Sequence, residues 1–163
     1  GPVELKDVPF VKMVHVESAR QMFEAVTKEA ETADIIVKAA AVADYRPAVV
    51  ADEKIKKKDG DMSIALKRTK DIIGTLGEHK KEGQFICGFS METENVIANS
   101  KDKLIKKNMD MIVANNVKVA GAGFGTDTNV VTIITGEDNI ELPMMSKEDV
   151  ASKILDFIMA KRR

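Results

Sequence analysis

A chain of 163 residues is long enough for one domain with its own core, because a fold of that size removes roughly 70% of the unfolded surface from water. Its 25 basic and 26 acidic residues nearly cancel, which argues against a general binder of nucleic acid or membrane surfaces, since those partners call for a broad basic excess. One cysteine excludes an internal disulfide and a cysteine-rich zinc site, and the two histidines, His15 and His79, match no metal-ligand spacing.

No apolar run is long enough to span a bilayer and no signal-peptide pattern opens the chain, so the expectation is a soluble cytoplasmic protein. Cys87, inside the apolar run QFICGF, reads as an inert core thiol. Gly1-Pro2 is not a natural initiation, and is expected to be either a tag scar or an internal boundary of a longer protein.

In chain order, Phe10 to Val16 alternates Val and Met with polar residues and predicts a strand. Ser18, with Gln21 three residues on, predicts a capping box. The helix it opens carries Ala19, Met22, Phe23, Val26 and Ala30 on one face. Asp34 to Ala41 is a continuous apolar strand interrupted by Lys38, of the kind covered on both faces in a parallel sheet. Residues 49–66 predict an arm or hairpin outside the main sheet, with a turn at Asp59-Gly60 and alternation at Met62, Ile64 and Leu66. Thr69 is expected to cap a helix bearing Ile72, Ile73 and Leu76 that stops near Gly83.

Phe85 to Phe89 predicts a buried strand, Thr93 the start of a helix ending near Asn108, and Met111 to Ala114 the next strand. Val130–Thr135 and Ile140–Pro143 predict a hairpin around Gly136-Glu137-Asp138-Asn139. Ser146 with Asp149 begins a last amphipathic helix bearing Val150, Ile154, Phe157 and Ile158. Strands alternating with helices give an α/β fold, a Rossmann-like three-layer α/β/α sandwich. Its sheet is mainly parallel, with an antiparallel hairpin at one edge and a protruding arm.

The stretch from Asp34 to Lys58 concentrates the chemistry. An apolar strand runs into a loop of small and charged residues, where open α/β sheets place ligands, and then into Lys54, Lys56, Lys57 and Lys58. The lysines read either as a solvated edge or as the binding side of an anion site. Lys103 and Lys107, one turn apart, either complement a helix dipole or add two phosphate contacts. Asp44 either caps a turn or binds a ribose hydroxyl or metal; Phe89 is either core or the lining of a base pocket. Asn115 and Asn116 are turn formers or strand-end ligands. The GAGFG run at Gly121 to Gly125 lacks the spacing of GxGxxG and leads into a strand, so it reads as a surface loop or lid. A nicotinamide-dependent reductase has only the strand–helix order in its favour.

The motifs AAAVADYRP, EKIKK, GFSMET, KLIKKNMDMIVANNV and GFGTDTNVV, in this order, resemble the bacterial phosphopantothenoylcysteine synthetase family. Its members form the CoaB part of the bifunctional coenzyme A biosynthesis flavoprotein. The resemblance covers nearly the whole 163 residues as a single synthetase domain. It implies a ligase that activates 4′-phosphopantothenate with CTP and Mg²⁺ as an acyl-cytidylate, then joins it to L-cysteine. It also implies a homodimer, and a linked decarboxylase domain in the full protein. By motif, CTP would be held by Asp44, Lys54, Phe89, Lys103 and Lys107, with Arg68, Thr69 and Lys70 near the nucleotide, and Lys54 would serve catalysis. The resemblance assigns no metal ligands. The family's synthetase normally begins with a further strand and a phosphopantothenate-binding segment before GPVEL, so the chain alone is expected to be a poor catalyst. No FMN is expected in this part. A second reading is a dimerisation module that pairs through residues 49–66.

Overall fold

The computed structural model describes residues 8–56, 60–91, 94–116, 119 and 125–162. Ser18 starts the first helix, α1 (Ala19–Ala30), by the predicted capping box: its hydroxyl accepts from the Gln21 amide, and the Gln21 side chain returns to the Ser18 amide. β1 (Ile35–Lys38) follows directly. The chain then leaves the main sheet through β2 (Tyr45–Pro47), which pairs antiparallel with β3 (Leu66–Arg68) as a separate two-stranded sheet. These two strands form the base of the arm predicted over 49–66. Its tip is irregular in the described residues, and Met62 and Ile64 are exposed outside any strand.

α2 (Ile72–Glu78) returns the chain to β4 (Phe85–Met91), and α3 (Val96–Lys106) leads to β5 (Met111–Asn115). β6 (Thr128–Ile134) and β7 (Asn139–Ser146) form the predicted hairpin, and α4 (Lys147–Lys161) closes the chain. Ser146 caps α4 as expected, accepting from the Asp149 amide. The main sheet has the order β1-β4-β5-β6-β7. β1, β4 and β5 run parallel, and β6 and β7 extend the sheet antiparallel. This is the predicted Rossmann-like α/β sandwich.

Alternation along the strands splits the core between the two faces. Phe85, Cys87, Met111, Val113, Val131 and Ile133 pack under Val150, Ile154 and Ile158 of α4. Ile86 and Ile112 pack on the other side under Ile72, Ile73, Leu76 and Leu104, with Met22, Phe23 and Val26 of α1 beside them. No helix among the described residues is long and apolar enough to cross a membrane.

Three elements depart from expectation. Residues 10–16 are not a strand: β1 is the sheet's outer strand among the described residues, and the alternating segment does not pair with its open edge but lines a cleft beside it. It is tied instead to α1 through Lys12 and Glu29 at 2.6 Å, which lowers the Glu29 carboxyl below the usual range. β1 is covered on both faces only in part: Ile35 packs with the core under α4 and Ile36 with the core on the other side, but Val37 remains 42% exposed. The third departure is the cap of α2. Asp71 fills it, whereas the Thr69 hydroxyl donates to the Ala43 carbonyl at 2.6 Å. The start proposed at Thr93 lies outside the described residues; within them α3 has Asn95 at its N-cap.

Candidate functional site

Two hydrogen bonds bring the loop after β1 onto the strand before α2. The Thr69 amide donates to the Asp44 carbonyl at 2.9 Å, and the Thr69 hydroxyl to Ala43. Asp44 therefore sits beside the entrance to α2, where the Asp71 carboxylate accepts from the Gly74 amide at 3.1 Å. The Lys107 ammonium reaches the other oxygen of Asp71 at 2.9 Å.

Lys107 gets there because of Gly77. A β-carbon at position 77 would lie 1.9 Å from the Lys107 carbonyl oxygen, so only glycine lets the end of α3 touch α2. The adjacent Asn108 side chain donates to the Gly77 carbonyl at 3.0 Å. From that contact the Lys107 side chain runs along α2 to its capping residue.

Charge balance around the cluster is set by competing effects. Burial pushes the Asp71 carboxyl up, but the Lys107 hydrogen bond, the Gly74 amide and the charges of Lys107 and Lys38 outweigh it and hold Asp71 below the ordinary carboxylate range. Lys38 is the opposite case. Burial, then the Lys107 charge, push its ammonium below the usual lysine range, and the attraction of Asp71 and Asp44 recovers only part of that. Lys38, Lys107, Asp71 and Asp44 thus form one interacting group at the carboxyl end of β1.

The remaining expected residues are more dispersed. Lys54 and Lys56 are exposed on the arm; Lys57 and Lys58 lie outside the described residues. Arg68 lies over the Tyr45 ring at 5.6 Å, joining the two strands of the arm's base. Lys70 lies 4.5 Å from the Phe23 ring of α1. Lys103 is exposed on α3. Phe89 is partly buried and packs with the core under α4, on the face of the sheet opposite Gly88 and its ladder partner Lys38. Asn115 ends β5 and accepts from the Asn129 amide at 2.8 Å, while the Asn116 backbone amide donates to Val130 at 2.9 Å. Both are integrated into the β5–β6 ladder and do not form a turn. Of the GAGFG run, Gly121 to Gly123 lie outside the described residues; Gly125 has φ +72°.

The family model for the C-terminal domain of DNA/pantothenate metabolism flavoproteins matches residues 1–161. The chain belongs to this family. It is 50% identical over 163 residues to the coenzyme A biosynthesis bifunctional protein CoaBC of Bacillus subtilis (strain 168), covering 98% of this chain and 40% of that protein. A cysteine/cysteine sulfinic acid decarboxylase from an unknown prokaryotic organism is 42% identical over 161 residues, covering 98% of this chain and 45% of that one. Among solved structures, the C-terminal domain of a coenzyme A biosynthesis bifunctional protein CoaBC superposes with a TM-score of 0.77 at 43% identity. That match covers 98% of this chain and 72% of the solved one. The chain spans less than half the length of these two curated relatives.

For a member of this flavoprotein C-terminal family, sequence reasoning missed two residues at the centre of the cluster. Asp71 was hidden because a capping aspartate looks the same whether or not a lysine 36 positions away reaches it. Lys38 read as an interruption in an apolar strand. The available signal was the cost of placing a lysine there at all.

Proposed function

We propose that this chain is the nucleotide-binding part of a phosphopantothenate–cysteine ligase of coenzyme A biosynthesis, using CTP. The observation that carries this reading is the Lys107–Asp71 pair with Lys38 and Asp44 beside it, a group of ammoniums and carboxylates at the strand end where open α/β sheets bind ligands. Family membership and the coenzyme A relatives support it.

In the proposed reaction a carboxylate oxygen of 4′-phosphopantothenate attacks the α-phosphorus of CTP, and pyrophosphate leaves with the electron pair of the broken P–O bond. The amine of L-cysteine then attacks the acyl carbon of the cytidylate, the C–O bond to CMP breaks, and the amine proton passes to solvent. Both steps need in-line positioning and cations against developing negative charge, not a protein nucleophile. Cys87 is unsuited to that task, because burial, then the Asp110 charge, push its thiol up to about 12.

In this reading Asp44 binds the ribose and Phe89 borders the base. Lys107 and Lys103 contact phosphate from α3, Lys54 comes from the arm to neutralise the α-phosphate, and Arg68 to Lys70 flank the nucleotide. The described residues contain no cluster of three or more His, Cys, Asp or Glu groups suited to a metal. Magnesium is therefore proposed only as the ion the triphosphate carries with it, held largely by phosphate and water oxygens. In the whole protein the chain is proposed to be joined to a phosphopantothenoylcysteine decarboxylase domain. A homodimer is proposed as well, because the arm exposes Val49 at 82%, Val50 at 79%, Met62 at 67% and Ile64 at 62%.

Calorimetric titration with CTP and Mg²⁺ tests the central claim. Lys107→Ala is expected to weaken binding about tenfold or more, as for loss of a charge-assisted hydrogen bond. Lys54→Ala, on an exposed segment, is expected to weaken it about threefold. No heat of binding from a chain that circular dichroism shows to be folded would sink the proposal.

A further inference from the structure

α3 carries Lys103 and Lys107, yet its start has no side-chain cap: Asn95 is left-handed and makes no capping hydrogen bond. What joins the helix to the sheet near that start is a buried pair of hydroxyls. Ser90 of β4 and Ser100 of α3 are 7% and 0% exposed, and their hydroxyl oxygens lie 2.9 Å apart in one shared hydrogen bond. Among the described residues each hydroxyl is the other's partner. Ser90 is itself held from the other side, opposite Ala114 in the ladder, with its carbonyl accepting from the Asn115 side chain at 3.5 Å.

Stability does not call for this pair. Alanine is the better helix former, and replacing both partners of a buried neutral hydrogen bond by apolar groups is close to neutral. What a hydrogen bond adds is one length and one angle, which apolar contact does not impose. Ser100, Lys103 and Lys107 stand at i, i+3 and i+7, along one side of α3. A slide or rotation of the helix at Ser100 therefore carries both lysines with it, including the Lys107 ammonium that meets Asp71 at 2.9 Å.

We propose that Ser90 and Ser100 are positioning residues: their hydrogen bond sets the height and rotation of α3 on β4, and so the points where Lys103 and Lys107 meet the phosphates. Neither serine touches the ligand. For its ligand the inference rests on the nucleotide-binding reading above, and for its geometry on the Lys107–Asp71 contact.

Ser90→Ala, Ser100→Ala and the double variant test it by urea denaturation, by calorimetric titration with CTP and Mg²⁺, and by NMR titration of the Asp71 carboxyl. Each single variant strands a buried hydroxyl and is expected to unfold at lower urea; the double variant strands none and is expected to recover most of that loss. CTP binding by the double variant is nevertheless expected to stay about three- to tenfold weaker, as for a charge-assisted contact held off its best geometry. Its Asp71 carboxyl, which burial raises and Lys107 lowers, is expected to titrate at higher pH once Lys107 is drawn back. A merely structural pair would not separate stability from these two readouts. A double variant whose CTP affinity returns with its stability overturns this inference and leaves the ligase reading standing. If the unsubstituted chain binds no CTP, the ligase reading falls by itself. A raised Asp71 titration in the double variant then still upholds the positioning of Lys107, and an unchanged one overturns it.

Discussion

Asp71 holds two roles on one carboxylate, and their separation is measurable. One oxygen caps α2 through the Gly74 amide, and the other receives Lys107. Replacing a capping aspartate by alanine costs about 1 kcal/mol. The ion pair adds less than its geometry suggests, because the Asp71 side chain is 54% exposed and water screens it. The folded carboxyl lies below its ordinary value, so its ionic contribution is complete above the unfolded pKa of about 4 and is lost as pH falls through the lower folded value. Asp71→Asn retains a cap acceptor without the charge. Urea unfolding is expected to show Asp71→Asn losing a few tenths of a kcal/mol at neutral pH, a deficit that fades in acid. Asp71→Ala is expected to lose about 1 kcal/mol more, at neutral pH and in acid alike. If the asparagine deficit is the same at pH 7 and in acid, the Lys107 pairing does not operate in solution.

At the scale of elements, the contact between α2 and α3 decides whether that pairing can form. Helix propensity alone says that Gly77→Ala should stabilise α2 by about 1 kcal/mol. The geometry says the reverse, since the added carbon would meet backbone, the Lys107 carbonyl oxygen at 1.9 Å and its carbon at 2.7 Å, and not the end of a movable side chain. Overpacking of this kind costs about 1–3 kcal/mol and outweighs the propensity gain. Gly77→Ala is expected to be less stable by urea denaturation and to bind CTP more weakly, because α3 carries Lys107 away from Asp71. A stabilised variant would show that the helices separate without cost.

The same scale shows where the sequence was readable. Ser18 with Gln21, Ser146 with Asp149, and the Gly136–Asn139 turn are signals completed within a few residues, and each forms as read. Residues 10–16 carry an equally clear alternation, but a strand needs a neighbour, and that requirement is written in other parts of the chain. Thr69 and Asp71 are both good capping residues. The choice went to Asp71 because the Thr69 hydroxyl had a partner at Ala43, 26 residues earlier. Lys54, Lys103 and Lys107 stood out as cations in a recognisable motif. Lys38 gained meaning only when folding placed Asp71 and Lys107 beside it.

For the whole molecule, the arm is the feature that a single chain leaves unresolved energetically. The main sheet buries its apolar residues on both faces, but Val49, Val50, Met62 and Ile64 are largely exposed on the arm. In a symmetric dimer the two copies bury eight such side chains at about 1.5–3 kcal/mol each, or about 12–24 kcal/mol in all. Association costs about 4–15 kcal/mol in lost freedom of motion. The middles of these ranges leave a net of about 8 kcal/mol, which corresponds to a micromolar Kd, so apolar contact through the arm supports a reversible dimer and not a permanent one. Sedimentation is accordingly expected to show a monomer–dimer equilibrium with a micromolar Kd in the proposed homodimer. Ile64→Glu is expected to shift it to monomer by placing a charge in the contact. The melting temperature of the diluted chain should stay nearly unchanged, since Ile64 is 62% exposed and outside both cores. A chain that stays monomeric at several hundred micromolar would remove the arm as an interface, and its apolar residues would then need another partner.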